Sequence, residues 1–523
     1  MPSFIALASA LLAPVAVLSG LLPSNATLIN TPAQEACHFL YSQMPNATHF
    51  PNQSFYITDN TNFWSQASAL GPACDFAPSC AEDLGWAVKV LKHYSAPFAM
   101  RGGGHMPIAG FNNINSSGVL LSSSGFTHLN LEPNSKNVHV GPANHWADVY
   151  KGLEPYGLTV VGGRLGVVGV PGFVTGGGIS FFSWQYGWAS NNLVSYTCVL
   201  ADGSVVKATP TNKFADLFWA LRGGGNSYAL VTDIEMKTYY KPAVTIGQAS
   251  YGSGSNVSKA FIDAVHNFAV YGQTDDAKAS IIPIVNAGST SNGSLTYTAY
   301  RFYDGNNTAP AALKNFTAPS LPTLTDTFQP RSMHQWTLES DAAFTQTKGL
   351  RERFYIIPLY VDKQALQIAT DTYFEMVFSA LSSLELWFTG WSPIPVSERF
   401  LQASTHSNGH GVPDGDPMGA EPANYYWIEI ALSYANVAEY EPIVTKLLQN
   451  VDAKIRTRLQ AAGLEDKVSK FLYLNDVDEG QALWEGYPKA NVRRLQRIRD
   501  KYDPEMVFTK QMPGGWKVAD AKV

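Results

Sequence analysis

Charge is scarce in this 523-residue chain: Asp, Glu, Lys and Arg together supply 15% of residues, where about 25% is usual for a soluble domain. The 36 Lys and Arg fall short of the 42 Asp and Glu, giving a net charge of −6. With no basic surplus to neutralise phosphates, a nucleic-acid partner is excluded. Cysteine is scarcer still, at four residues, too few for a disulfide scaffold. Neither G-x-x-x-x-G-K-[ST], G-x-S-x-G nor H-E-x-x-H occurs, which removes P-loop NTPase, α/β-hydrolase and zincin readings. No run after Leu22 is long and apolar enough to span a bilayer, and no internal repeat is visible.

Apolar and aromatic residues and glycine, by contrast, are plentiful. Hydrophobic residues make up 45%, with 12 Trp, 25 Tyr and 27 Phe, enough burial to offset chain entropy and exclude disorder. No charged side chain precedes Glu35, and Phe4 to Leu22 is mostly apolar. This stretch is expected to be a secretory signal, with 1–24 removed; a retained signal anchor is the alternative. Eight Asn-x-Ser/Thr sequons, at Asn25, Asn46, Asn52, Asn115, Asn256, Asn292, Asn306 and Asn315, fit glycans on a secreted, extracellular protein with no membrane contact after processing. In an oxidising compartment one disulfide is expected. Cys37–Cys74 is the preferred pair, and Cys198, in the apolar strand pattern Val194–Leu200, is expected to be a buried free thiol.

Helical spacing covers Ala81–Tyr94, and Ile443, Leu447, Val451, Ile455 and Leu459 repeat every four residues up to Gly463. Val492, Leu495, Ile498 and Tyr502 mark a last helix, with Arg493, Arg494, Arg497 and Arg499 expected on its solvated face. Strands are expected at Val194–Leu200, Ser204–Ala208, Ala229–Thr238, Val244–Tyr251, Ser280–Val285, Ser294–Phe302 and Tyr425–Tyr434. A turn at Asn292-Gly293 joins two of them.

The 43 glycines concentrate in loops. Arg101-Gly-Gly-Gly-His105, Gly176-Gly-Gly178 and Gly223-Gly-Gly225 each fail G-x-G-x-x-G, because Pro107, Phe181 and Tyr228 take the third glycine's place. Clustered glycine still lets backbone N–H groups approach a pyrophosphate, although tight turns alone would also use it. Taken in order, Arg101-Gly-Gly-Gly-His105, Gly162-Gly-Arg-Leu-Gly-Val-Val-Gly169, Thr175-Gly-Gly-Gly178, Tyr186-Gly187, Leu200-Ala-Asp-Gly-Ser204, Asp216-Leu-Phe-Trp-Ala-Leu-Arg-Gly-Gly-Gly-Asn226 and Tyr502-Asp-Pro504 closely resemble the berberine-bridge-enzyme-like flavoproteins of the vanillyl-alcohol oxidase/p-cresol methylhydroxylase (PCMH) superfamily. The similarity is greatest to fungal members.

That resemblance implies an α+β, two-domain PCMH-type FAD-binding fold, its substrate domain built on an antiparallel sheet flanked by helices. The divisions expected are an N-terminal segment 25–65, a FAD domain 66–240, a substrate domain 241–440 and a segment 441–523 returning to the FAD domain. It implies that Arg101, Gly102, Gly103, Gly104, His105 and Met106 bind FAD, with His105 bonded to the flavin 8α-methyl. Gly166, Gly169, Gly172, Gly176, Gly177, Gly178, Val231 and Asn475 complete the cofactor set. Leu165 stands where many relatives carry a second, cysteinyl link, so attachment is expected through His105 alone. Val168 stands at the position controlling oxygen access, and its small side chain resembles the oxidases, implying O2 as acceptor and H2O2 as product.

On the substrate side the family's strand matches Tyr425-Tyr-Trp-Ile-Glu429. Alternation places Tyr425 and Trp427, expected to touch a small-molecule substrate, on one face with Glu429, a candidate base. Tyr473 and Asp476 join it as catalytic candidates; Asp476 replaces a Tyr of sugar-oxidising relatives, against a simple carbohydrate oxidase. A monomer without a metal is expected. Competing readings are an oxidation coupled to cyclisation in a natural-product pathway and a binding glycoprotein on a degenerate scaffold. A metal enzyme built on His406, His410, Asp414 and Asp416 is the remaining one.

Overall fold

The computed structural model describes residues 30–133, 136–344, 347–405 and 415–522. The expected signal segment, Asn25, His406, His410 and Asp414 lie outside the described residues. Among those described, no helix is long and apolar enough to cross a membrane.

Three cores organise the α+β chain. The first lies under a small sheet in which Cys74–Phe76 and Phe98–Arg101 both run parallel to Val119–Ser122. The expected helix forms at Ala81–His93 and buries Leu84, Ala87, Val88 and Leu91 beside this sheet. Cys37, on the helix Pro32–Gln43, is bonded to Cys74 as expected, and Cys198 is a buried free thiol. The second core packs against an antiparallel five-stranded sheet in the order Leu129–Leu131, Asn137–Val140, Leu230–Lys237, Leu193–Val199 and Val205–Ala208.

The third core belongs to a large antiparallel sheet ordered Thr323–Asp326, Val244–Tyr251, Thr296–Tyr303, Ala279–Gly288, Trp387–Val396, Tyr425–Tyr434 and Arg351–Tyr360. Period-two alternation divides the strand Tyr425–Tyr434 between two environments. Tyr425 and Trp427 face the second core, whereas Tyr426, Ile428, Ile430 and Leu432 face the third. Helices Ser255–Asn267, Lys363–Ala380 and Glu441–Ala461 cover the latter face. Segment 441–523 therefore serves two places: its long helix packs on the large sheet, while Leu474, Leu495 and Tyr502 join the second core. In the last helix, Lys489–Tyr502, Arg493 and Arg497 are exposed as expected. Arg499 is not: it is buried, and donates a hydrogen bond to the carbonyl of Asp503.

Candidate functional site

Residues from all three sheets line a cavity of about 300 Å³, within the range that holds small molecules. Its first wall is the loop following Phe98–Arg101. Gly102, Gly103, Gly104, His105 and Met106 line it, facing Leu165, Val168, Gly169 and Gly172 across the cavity. Two main chains cross here at closest approach: a Cβ on Gly103 would lie 2.4 Å from the Gly169 Cα. Gly104 has φ +71°, which favours glycine. The imidazole Nε2 of His145 is hydrogen-bonded to the Gly103 carbonyl at 2.9 Å, pinning the loop. Replacing Gly103 by Ala is expected to destabilise the protein by about 1–3 kcal/mol, because backbone must move to admit the methyl. A fall in Tm together with reduced flavin content would record it.

His105 is enclosed by protein except where it meets the cavity. Its ring stacks on Trp64 with centroids 4.3 Å apart and planes 9° apart, and Phe344 approaches edge-on at 6.2 Å. Burial, with a smaller contribution from His145, pushes its pKa down to about 3, so the imidazole is uncharged at neutral pH.

A second part of the cavity lining carries charge. Glu429 reaches it from the large sheet, paired in register with Ile356 and Ser392. Asp476 arrives on the short turn Leu474–Asp476, and Arg164 on the Gly162–Gly169 segment. No hydrogen bond or ion pair within 4 Å engages these three side chains among the described residues. Burial raises the Glu429 pKa, with Arg164 pulling it back. Burial and then Glu429 raise that of Asp476 well above the usual range, again opposed by Arg164. Two carboxyls that influence each other in this way titrate together rather than independently. Asp476 is buried, Glu429 and Arg164 are half-buried, and Arg164 Nη1 is buried without a hydrogen-bond partner; shifted carboxyls beside such a cation in a cavity are characteristic of functional sites.

Tyr473 completes that part of the lining. Its ring stacks on Trp188, with centroids 5.5 Å apart, and on Trp427 at 6.1 Å. Its hydroxyl accepts from the Ile179 N–H at 3.1 Å and from Asn475 Nδ2 at 2.8 Å, leaving its own proton for a ligand. Asn475 also donates to the Phe173 carbonyl at 3.0 Å.

Of the residues singled out in the sequence, the cavity gathers Gly102–Met106, Leu165, Val168, Gly169, Gly172, Val231, Asn475, Glu429, Asp476 and Tyr473. Several other expected residues stand behind it. Arg101 turns away to pair with buried Asp59, because a buried guanidinium needs a carboxylate. Gly166 donates its N–H to Asp341 Oδ1 at 2.9 Å. Gly176, Gly177 and Gly178 make room for neighbours; a Cβ on Gly176 would lie 2.0 Å from Asn475 Oδ1. Trp427 is covered by Phe471, with centroids 4.9 Å apart, and by Tyr473. Tyr425 stacks on Tyr360 and donates its hydroxyl proton to the Glu421 carbonyl at 2.8 Å. Neither of these two aromatics lines the cavity; both stand behind residues that do or pack beside them.

Arg164, Trp64 and Phe354 went unrecognised in the sequence. Only Arg164 carried a signal, as the one charged residue in the Gly162–Gly169 segment.

Residues 72–209 match the model of a FAD binding domain family. The chain is 31% identical over 502 residues to the FAD-dependent monooxygenase prx3 of Penicillium roqueforti, covering 93% of this chain and 94% of the relative. It is 29% identical over 484 residues to the bifunctional solanapyrone synthase of Alternaria solani, covering 92% of this chain and 89% of the relative. Berberine bridge enzyme from Eschscholzia californica shares the fold, with a TM-score of 0.68 at 15% identity over 91% of this chain and 97% of that one. The residues present fit FAD: the main chain of Gly102–Gly104, Gly169 and Gly172 lines one part of the cavity, and Arg164, Glu429, Tyr473 and Asp476 bring polar side chains to it. The chain belongs to the family of FAD-dependent oxidoreductases that includes prx3, on the fold it shares with berberine bridge enzyme.

Proposed function

We propose that this protein is a secreted oxidase that holds FAD covalently through His105 alone and oxidises an alcohol or similar small molecule, with O2 as electron acceptor and H2O2 as product. The observation that carries the reading is that one cavity is lined by an uncharged His105 together with Glu429, Asp476 and Arg164. When bound, the flavin supplies the hydride acceptor and the route by which electrons reach oxygen. The chain's own residues manage the proton. A substrate hydroxyl or amine facing Glu429 and Asp476 finds a carboxylate with raised basicity to take its proton. Tyr473 keeps a hydroxyl proton to donate to a substrate oxygen. Arg164 steadies the ionised carboxyl and offers N–H donors to an electron-rich substrate group. Leu165 has no nucleophile, consistent with a single covalent link.

Export is part of the same proposal. Asn46, Asn52, Asn115, Asn256, Asn292 and Asn306 are exposed and Asn315 is half-buried, so glycans at these positions would project into solvent. The test of oxidase behaviour is anaerobic reduction followed by mixing with air: fast reoxidation with stoichiometric H2O2 supports it, and slow recovery contradicts it. Val168 lines the cavity, and Val168→Leu is expected to slow the oxygen step at least about tenfold, read by stopped-flow absorbance.

A second reading is favoured by the likeness to a synthase and by Asp476 at the place of the sugar oxidases' Tyr. Here the oxidised product cyclises in the same pocket, as in natural-product tailoring. A cyclised product formed together with H2O2 would separate this from simple alcohol or carbohydrate oxidation.

A further inference from the structure

We propose that Lys517, acting through Asn226, is the counter-charge for the diphosphate of FAD. Cations are few at the cavity. Arg101 is committed to Asp59. Arg164 is the one Lys or Arg among the described residues that line the cavity, and it lies in the field of Glu429 and Asp476. Glycine-loop N–H groups can approach a phosphate closely, but they offer partial charges only.

Lys517 is a buried cation without a counter-ion. It is 4% exposed, and its Nζ donates to Asn226 Oδ1 at 3.0 Å. Among the described residues, no carboxylate forms an ion pair with it within 4 Å. Asp503 and Asp520 reach it electrostatically. Asp503, however, has both oxygens engaged by the N–H groups of Val507 and Phe508, at 2.7 and 2.8 Å, and Asp520 is exposed. Burial pulls the Lys517 pKa down to about 7 despite these two acids. A buried ammonium with no anion beside it is costly, and an anion in the adjoining cavity would relieve that cost.

Asn226 connects this charge to the cavity, which it lines. Its amide is held at both ends: Oδ1 accepts from Lys517, and Nδ2 donates to the Gly514 carbonyl at 3.0 Å. A lysine can only donate, so this contact fixes which end of the amide is the oxygen. Nδ2 keeps a second N–H, and an ammonium on the amide oxygen polarises it into a stronger donor. The glycine loop Gly223–Gly225 delivers Asn226, with Gly225, at φ +72°, also lining the cavity. The end of the chain delivers Lys517. Gly515 and Trp516 line the cavity, Trp516 packs edge-on against Phe111 with centroids 5.4 Å apart, and the Val518 N–H donates to Ser227 Oγ at 3.2 Å. The inference needs FAD in the cavity, and not its covalent link.

The test is phosphorus-31 NMR of the full-length, flavin-loaded protein, wild type against Lys517→Met and Lys517→Gln. Both variants should displace the diphosphate resonances, although glutamine can still donate to Asn226. A second measurement uses His105→Ala, stripped of flavin and titrated by fluorescence quenching. Adding Lys517→Met should weaken FAD binding at least about tenfold, the worth of one charge-assisted contact. Riboflavin, which has no phosphate, should weaken by less than about twofold. Asn226→Ala should act likewise, and the two substitutions together should weaken FAD little more than either alone. Unmoved resonances in both variants would overturn the proposal, and so would equal losses of FAD and riboflavin, which mark a merely structural lysine. If flavin stays attached in His105→Ala, the assignment of the covalent link to that residue fails, while the phosphorus spectra still decide the role of Lys517.

Discussion

Glu429→Gln is expected to lower kcat/KM by about 10²–10⁴, the usual worth of a positioned general base. Glutamine keeps the shape of the side chain on a strand paired along both edges, Arg351–Tyr360 on one side and Trp387–Val396 on the other, so the sheet should be undisturbed and Tm nearly constant. What it removes is the ability to accept a proton at the charged part of the cavity. The pH profile carries a second, independent signature. Burial raises the pKa of both carboxyls, so the pair is less ionised at a given pH than free carboxylates. The deprotonated form is the base, so the rising limb of kcat/KM should lie above the ordinary carboxylate range. Removing Glu429 takes a like charge away from Asp476, lowering the pKa of the remaining acid. The residual activity of the variant should therefore rise at lower pH than that of the wild type. Unaltered kcat/KM with an unmoved limb would show that neither carboxyl handles the proton.

Much of this site was legible because its chemistry is written in local motifs. The loop Gly102–Met106, the run Leu165–Gly169 and the segment Tyr473–Asp476 are short, and their order along the chain is specific. The facing of Glu429 followed from period-two alternation. Tertiary partners were not legible. Arg101 reads as a cofactor ligand only while its partner Asp59, 42 residues earlier, is unknown. Gly176–Gly178 look like a phosphate cradle because glycine serves equally for approach to a ligand and for close packing, and here the close neighbours are Asn475, Met418 and Phe173. Trp427 has the aromatic character of a substrate wall, yet Phe471 and Tyr473 arrive from beyond the strand to cover it. In the sequence Arg164 is one position of a glycine-rich motif, and only the fold brings it within electrostatic reach of Glu429 and Asp476.

His105→Ala is expected to leave the flavin unattached: after acid precipitation the yellow colour should pass from the pellet, where the wild type retains it, to the supernatant. A nitrogen nucleophile must be unprotonated, and burial keeps His105 so by pushing its pKa down to about 3. Protonation therefore sets no limit on attachment anywhere near neutral pH. Orientation is the remaining requirement, and Trp64 supplies it by stacking flat on the imidazole at 4.3 Å while Phe344 limits ring rotation from the side. Trp64→Ala should consequently give partial attachment, with part of the flavin released by acid, whereas Trp64→Phe should restore most of it. Since the glycine walls of the cavity are untouched, His105→Ala should still bind FAD noncovalently and show a shifted flavin spectrum before denaturation. Colour retained in the acid pellet of His105→Ala would assign the covalent link to another residue, and a colourless wild-type protein would remove the flavin altogether.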